Sequence, residues 1–81
     1  MSPPLESAVQ SKAIAQYTRE GWLCVRLIQT NMNGIPDLLL LRDGVAKFVE
    51  VKRHGCKPRP LQVYRINQLK DAGFEVEVVT G

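Results

Sequence analysis

With 81 residues, 44% of them apolar, and a formal net charge of +3, the chain reads as one globular domain over residues 1–81, with no room for a second and too apolar to be disordered. Leu38 to Leu41 is as long as any apolar run in it, far below the roughly 20 residues that span a bilayer, so no membrane partner is expected. A domain of this size buries only about 60% of the surface its unfolded chain exposes, a thin core that oligomerisation would relieve.

The chain opens on Ser2-Pro3-Pro4, so residues 1–4 read as a disordered, non-helical lead-in. It lacks the basic start and apolar stretch of a secretory signal, which points to an intracellular protein. Leu5 to Glu20 reads as a helix: Leu5, Val9, Ala13 and Tyr17 recur four apart and make one face. Gly21 sits where a helix-ending glycine belongs. Trp22 to Ile28 is apolar and β-branched and reads as a strand, and Gln29 to Pro36, with two Asn, a Gly and a Pro, as a loop.

Asp37 to Arg42 and Val45 to Lys52 read as two strands joined by Asp43-Gly44, a strong hairpin turn. His54 to Pro60 is a loop, Leu61 to Ala72 a second helix stopped by Gly73, and Phe74 to Val79 a last strand. The order is αβββαβ, an α/β domain. The hairpin is apolar on both faces, with Leu38, Leu40, Val49 and Val51 on one and Leu39, Leu41 and Phe48 on the other. A sheet buried on both sides needs cover from both helices or from a partner subunit.

The two-residue turn fixes the register. Arg42 pairs with Val45 and Leu39 with Phe48, which sets Asp37 opposite Glu50 on one face with Cβ atoms about 4.5–5.5 Å apart. Facing carboxylates repel unless something lies between them, and a divalent cation such as Mg²⁺ would turn the repulsion into a binding site. Lys52 follows on the same face, where an ammonium could orient the attacking water and offset developing phosphate charge. Spacing alone leaves a surface ion pair between Lys52 and either acid equally open.

From Lys52 to Arg65 the chain carries five basic residues and no acid: Lys52, Arg53, Lys57, Arg59 and Arg65. That stretch is either a solvated basic loop or a phosphate-binding surface. Cys24 and Cys56 make no disulfide framework and are expected as free thiols. A metal site built from them with His54 lacks the usual ligand spacings.

The run Gly34-Ile35-Pro36-Asp37-Leu38, then Val49-Glu50-Val51-Lys52, then Gln62 resembles the VRR-NUC family of the PD-(D/E)XK nuclease superfamily. Asp71 to Val76 resembles that family's closing helix-to-strand turn, so the likeness covers about Glu6 to Val79. It implies a restriction-endonuclease-like core with a mixed sheet flanked by helices, and an Mg²⁺- or Mn²⁺-dependent endodeoxyribonuclease. In it Asp37 and Glu50 would bind metal, together with the Val51 carbonyl and Glu6. Lys52 would be the catalytic lysine and Gln62 the helix glutamine beside the site. Arg53, Lys57 and Arg59 would contact backbone phosphate. The chain looks like the short stand-alone members of phages and bacteria, which implies a homodimer resolving branched DNA in bacterial or phage-infected cytoplasm. A restriction-type or nicking enzyme on linear duplex, and a DNA-binding module without chemistry, are the competing expectations.

Overall fold

The computed structural model describes residues 5–81, so the lead-in expected at residues 1–4 lies outside the described residues. Two helices and four strands follow one another as α1 (Glu6–Arg19), β1 (Leu23–Arg26), β2 (Leu38–Arg42), β3 (Val45–Lys52), α2 (Pro60–Asp71) and β4 (Glu75–Thr80). The strands form one sheet in the order β1-β2-β3-β4. The first two pairings are antiparallel and β3–β4 is parallel. A parallel neighbour needs a crossover connection, and α2 supplies it.

The hairpin stands in the register that its turn dictates, Arg42 opposite Val45 and Leu38 opposite Val49. Asp43 and Gly44 both have positive φ, 51° and 77°, the left-handed pair that a tight hairpin turn needs. Alternation then sorts the side chains. Leu38, Leu40, Val49 and Val51 are fully buried and form the core with Val9 of α1, while Ile14, Tyr17, Trp22, Cys24 and Val79 pack around them. Lys47 lies on this same face and ties β3 to β4 through Glu77, 2.6 Å away, and Glu75, 3.7 Å away.

The opposite face corrects an expectation. Leu39 and Phe48 are only half-buried, Leu41 is 37% exposed, and Leu23 and Val25 beside them are 63% and 37% exposed. The hairpin is therefore not covered on both sides by the described residues of one chain. α2 packs along β4, at one edge of the sheet, and Phe48 gains an edge-on contact with Phe74 at 6.0 Å, but nothing among the described residues covers the β1–β2 side of this face to the same degree. Apolar patterning says which residues prefer burial; it does not say whether one short chain has enough helix to bury them.

Every element but β3 also shifts by one or two residues at one or both ends, and the shifts of β1 and α2 have a structural cause. β1 spans Leu23–Arg26 rather than Trp22 to Ile28, because its partner β2 begins at Leu38, opposite Arg26. The Leu27 N–H makes one more bond, to the Asp37 carbonyl at 2.8 Å, and the chain then leaves the sheet. The Trp22 ring turns under the Arg42 guanidinium, 4.1 Å from the ring centre, while Arg42 donates to the Glu20 carbonyl at the end of α1. The second helix begins at Pro60, one residue earlier than expected. Proline suits the first helical position, where its missing N–H has no partner to lose.

Candidate active site

The site forms where β2 begins and β3 ends, at the end of the sheet where α1 starts. Asp37 is the last residue before β2, and its Oδ2 accepts the Val51 backbone N–H at 2.9 Å. That bond replaces the next rung of the β2–β3 ladder and turns the Asp37 carboxylate toward β3. Glu50 lies on the same strand face as Phe48 and Lys52. Glu6 comes from the first turn of α1. One carboxylate oxygen from each of Glu6, Asp37 and Glu50 lies within 4.8 Å of the other two.

Glu50 is fully buried, and neither of its oxygens has a hydrogen-bond partner among the described residues. A buried ionised carboxylate with nothing to bond is among the most costly groups a small domain can hold. Its carboxyl is pushed up to about 8, first by burial and then by the neighbouring Asp37 carboxyl, with Lys52 pulling the other way. A hydrogen bond between the two carboxyl groups exists only while one holds a proton; as two carboxylates they only repel. An oxygen-lined site with two unsatisfied lone-pair donors fits a hard divalent cation.

Lys52 is also buried, with 9% of its side chain exposed. It makes no ion pair with Asp37 or Glu50 among the described residues, and its one partner is Glu6 Oε1 at 4.0 Å. A surface ion pair between Lys52 and either hairpin acid is therefore not what the structure contains. Its ammonium lies beside the Glu6 carboxylate and near enough to Glu50 to oppose the upward push on that carboxyl.

Gln62 is half-buried on the helix face it shares with Ile66 and Leu69, but its Oε1 accepts the Arg59 backbone N–H at 2.8 Å. With the helix starting at Pro60, Gln62 falls at the third helical position, where a glutamine side chain reaches back to cap the helix. Val51 contributes its N–H to Asp37. Arg53 is half-buried, Lys57 and Arg59 are exposed, and none of the three forms an ion pair among the described residues. Cys24 and Cys56 are free thiols. The only cluster with metal-ligand geometry among the described residues is the carboxylate one, so a Cys24, Cys56 and His54 site is not formed.

Arg65 belongs to the basic stretch in sequence, and the structure gives it other work. Its Nε donates to the Asn33 carbonyl at 2.9 Å and its Nη1 to Gln68 Oε1 at 2.8 Å. This fastens α2 to the loop that delivers Asp37. Gly34 in that loop presses against Leu61: a Cβ there would stand 2.8 Å from Leu61 Cγ, and φ is +82°. No sequence signal separates this arginine from its basic neighbours. Arg65→Ala is expected to lower unfolding free energy by about 1 kcal/mol, one net hydrogen bond. Gly34→Ala is expected to cost more, since backbone and packing both oppose it. Urea denaturation of the two variants checks the order.

The sequence profile of the VRR-NUC domain matches residues 4–81. The chain belongs to the VRR-NUC family. A solved structure of a VRR-NUC domain superposes with a TM-score of 0.81 at 36% identity, covering 94% of this chain and 83% of that one. This places the two helices and the mixed four-stranded sheet within the VRR-NUC architecture. A protein of Acyrthosiphon pisum secondary endosymbiont phage 1, whose name marks it as a candidate nuclease, is 28% identical over 75 residues, 91% of this chain and 81% of that protein. Membership in the VRR-NUC family and this phage relative support a nuclease, and the carboxylate cluster suits the divalent metal that such an enzyme uses. No helix among the described residues is long and apolar enough to cross a membrane.

Proposed function

We propose that this VRR-NUC domain is a metal-dependent DNA endonuclease that cuts branched DNA as a homodimer, in the manner of a Holliday-junction resolvase. The observation that carries the chemistry is the buried, unpartnered Glu50 carboxylate beside Asp37 and Glu6, with a buried lysine next to it. Glu6, Asp37 and Glu50 would hold Mg²⁺ or Mn²⁺, with the Val51 carbonyl as a further ligand. Bound there, the cation would supply Lewis-acid stabilisation of phosphate charge and activation of water near neutral pH. Lys52 orients the attacking water and offsets charge gathering on the phosphate. Gln62, with its Oε1 committed to the Arg59 amide, has its Nε2 left to meet substrate.

Arg53, Lys57 and Arg59 follow Lys52 directly and supply a sequence-independent hold on the DNA backbone. Lys57→Ala and Arg59→Ala are expected to weaken binding evenly across sequences. Each should reduce the slope of log affinity against log salt by roughly one unit. A salt titration of binding in EDTA measures this, and an unchanged slope places the residue off the DNA.

The dimer reading is supported by the open sheet face. Leu23, Val25 and Leu41 form an apolar strip on β1 and β2 that a second copy would cover. Two sites related by a two-fold axis suit the paired nicks that resolve a four-way junction. The test is a metal titration of cleavage on four-way junctions, nicked DNA and matched duplexes, with sedimentation equilibrium on the same preparation. The expected result is a dimer that prefers junctions. Preference for linear duplex returns the enzyme to the restriction or nicking class. Activity on junctions from a species of 9.1 kDa rules out paired sites.

A further inference from the structure

We infer that the loop from Leu27 to Ile35 reads the branch point, with Ile28 entering the base stack and the cup that it walls receiving an unpaired base. This rests on the nuclease reading and adds a substrate-recognition element to it.

The loop is placed for such a role. Leu27 is bonded through its backbone to Asp37 at 2.8 Å, so Ile28 begins one residue, about 3.8 Å of chain, from the backbone partner of an active-site acid. Ile28 is 86% exposed, the highest value of any large apolar residue described. A single exposed apolar side chain is ordinary. A rigidly presented one beside a catalytic centre is less so.

The loop is braced at three points. Thr30 Oγ1 donates to the Met32 carbonyl at 2.9 Å and accepts the Met32 N–H at 3.2 Å, closing a local turn. Arg65 holds the Asn33 carbonyl, and Gly34 seats against Leu61. So held, Ile28 stays in solvent while Leu27 and Ile35 are half-buried.

Ile28 forms one wall of an open cup of about 300 Å³, whose lining also includes Leu27 and Ile35 and the more polar run Gln29, Thr30, Met32, Asn33 and Gly34. The whole segment from Leu27 to Ile35 carries no charge. It therefore differs in kind from the basic stretch at Arg53 to Arg59: the side-chain amides of Gln29 and Asn33 match base edges, whereas phosphate calls for cations. An isoleucine is one of the side chains that wedge between base steps, at a cost of a few kcal/mol for unstacking. That cost is least where bases are already unpaired. Wedge and cup together favour a branch point over intact duplex.

The test uses the full chain in EDTA, with a four-way junction carrying 2-aminopurine at the branch point and a matched duplex as competitor. Wild type is expected to raise the 2-aminopurine fluorescence on binding. Ile28→Ser should lose that rise and about tenfold of the junction-over-duplex preference, a change of about 1.4 kcal/mol, with duplex binding kept. Ile28→Leu should restore both. Gln29→Ala should keep the fluorescence rise and lose part of the preference; an unchanged preference removes the cup from the proposal. A wild-type preference and signal retained in Ile28→Ser overturn the wedge, as does a wild type with neither. Conversion of Ile28→Ser to a monomer by sedimentation would make Ile28 a subunit contact and also overturn it. A fluorescence rise from a wild type that cuts nothing in Mg²⁺ or Mn²⁺ would sink the nuclease reading and leave the branch reader standing.

Discussion

Asp37→Asn and Glu50→Gln should each lower cleavage by on the order of a thousandfold while leaving DNA binding in EDTA near wild type. The two carboxylates sit within one cluster with Glu6, and in the proposed mechanism each would be a metal ligand. Loss of several kcal/mol of transition-state stabilisation from a weakened metal site corresponds to that factor. Binding is proposed to rest instead on Arg53, Lys57 and Arg59, which lie outside the cluster. A second readout separates metal binding from chemistry. Mn²⁺ should raise the melting temperature of wild type, because an ion that binds only the folded state stabilises it. It should not do so for Asp37→Asn or Glu50→Gln. Lys52→Met should lose cleavage yet retain the Mn²⁺ shift, since its ammonium is no metal ligand. Glu6→Gln should show the smallest loss, because Glu6 is 44% exposed at its side chain and a water can take its place. Full cleavage by either hairpin variant would remove the carboxylate pair from the mechanism.

The part of this site that is legible in the sequence is the part that follows from strand geometry. Asp43-Gly44 fixes one turn, the turn fixes one register, and the register puts Asp37, Glu50 and Lys52 on one face before any fold is known. The same alternation marks Leu38, Leu40, Val49 and Val51 as core. Glu6 is different: periodicity says that α1 is a helix but not which way its first turn points, so only resemblance to the VRR-NUC family brings it to the cluster. Spacing puts Gln62 on one helix face with Ile66 and Leu69, yet its carbonyl oxygen is taken by a helix cap, because one residue of difference in where α2 begins decides whether it caps. Arg65 looks like any other member of a basic run, and only the folded chain reveals its bond to Asn33, 32 residues away. Such long-range polar contacts leave no periodic trace. The open face of β1 and β2 is illegible for a related reason, since hydrophobic pattern records preference for burial and not the supply of cover.

The metal-free protein should become less stable as pH rises from about 4.5 to about 8, opposite to the usual behaviour of proteins with ion-paired carboxylates. The Glu50 carboxyl is ordinarily half-titrated at 4.5 and is pushed up to about 8 in the folded chain, by burial first and by Asp37 second. Below pH 4.5 both folded and unfolded chains hold the proton, and the group contributes no difference. Between the two values the unfolded chain has released a proton that the folded chain keeps, so raising pH favours unfolding, by up to about 1.4 kcal/mol for each pH unit. Above about 8 the folded chain also releases it and the loss levels off. A domain of 81 residues has little stability to spare against such a slope, since single domains are held by only about 5–15 kcal/mol. Glu50→Gln removes the titrating group, and its metal-free stability should be flat across this window and higher than wild type at about pH 8. Mn²⁺ competes with the proton for the same oxygens, so its stabilising effect on wild type should grow with pH across the same window. Urea denaturation in EDTA at about pH 5, 6.5 and 8, with and without added Mn²⁺, distinguishes the cases. A wild-type profile that rises with pH in EDTA would mean that Glu50 is ionised and satisfied in the folded protein. An already satisfied carboxylate has no need of a cation, and the metal site would lose its main physical support.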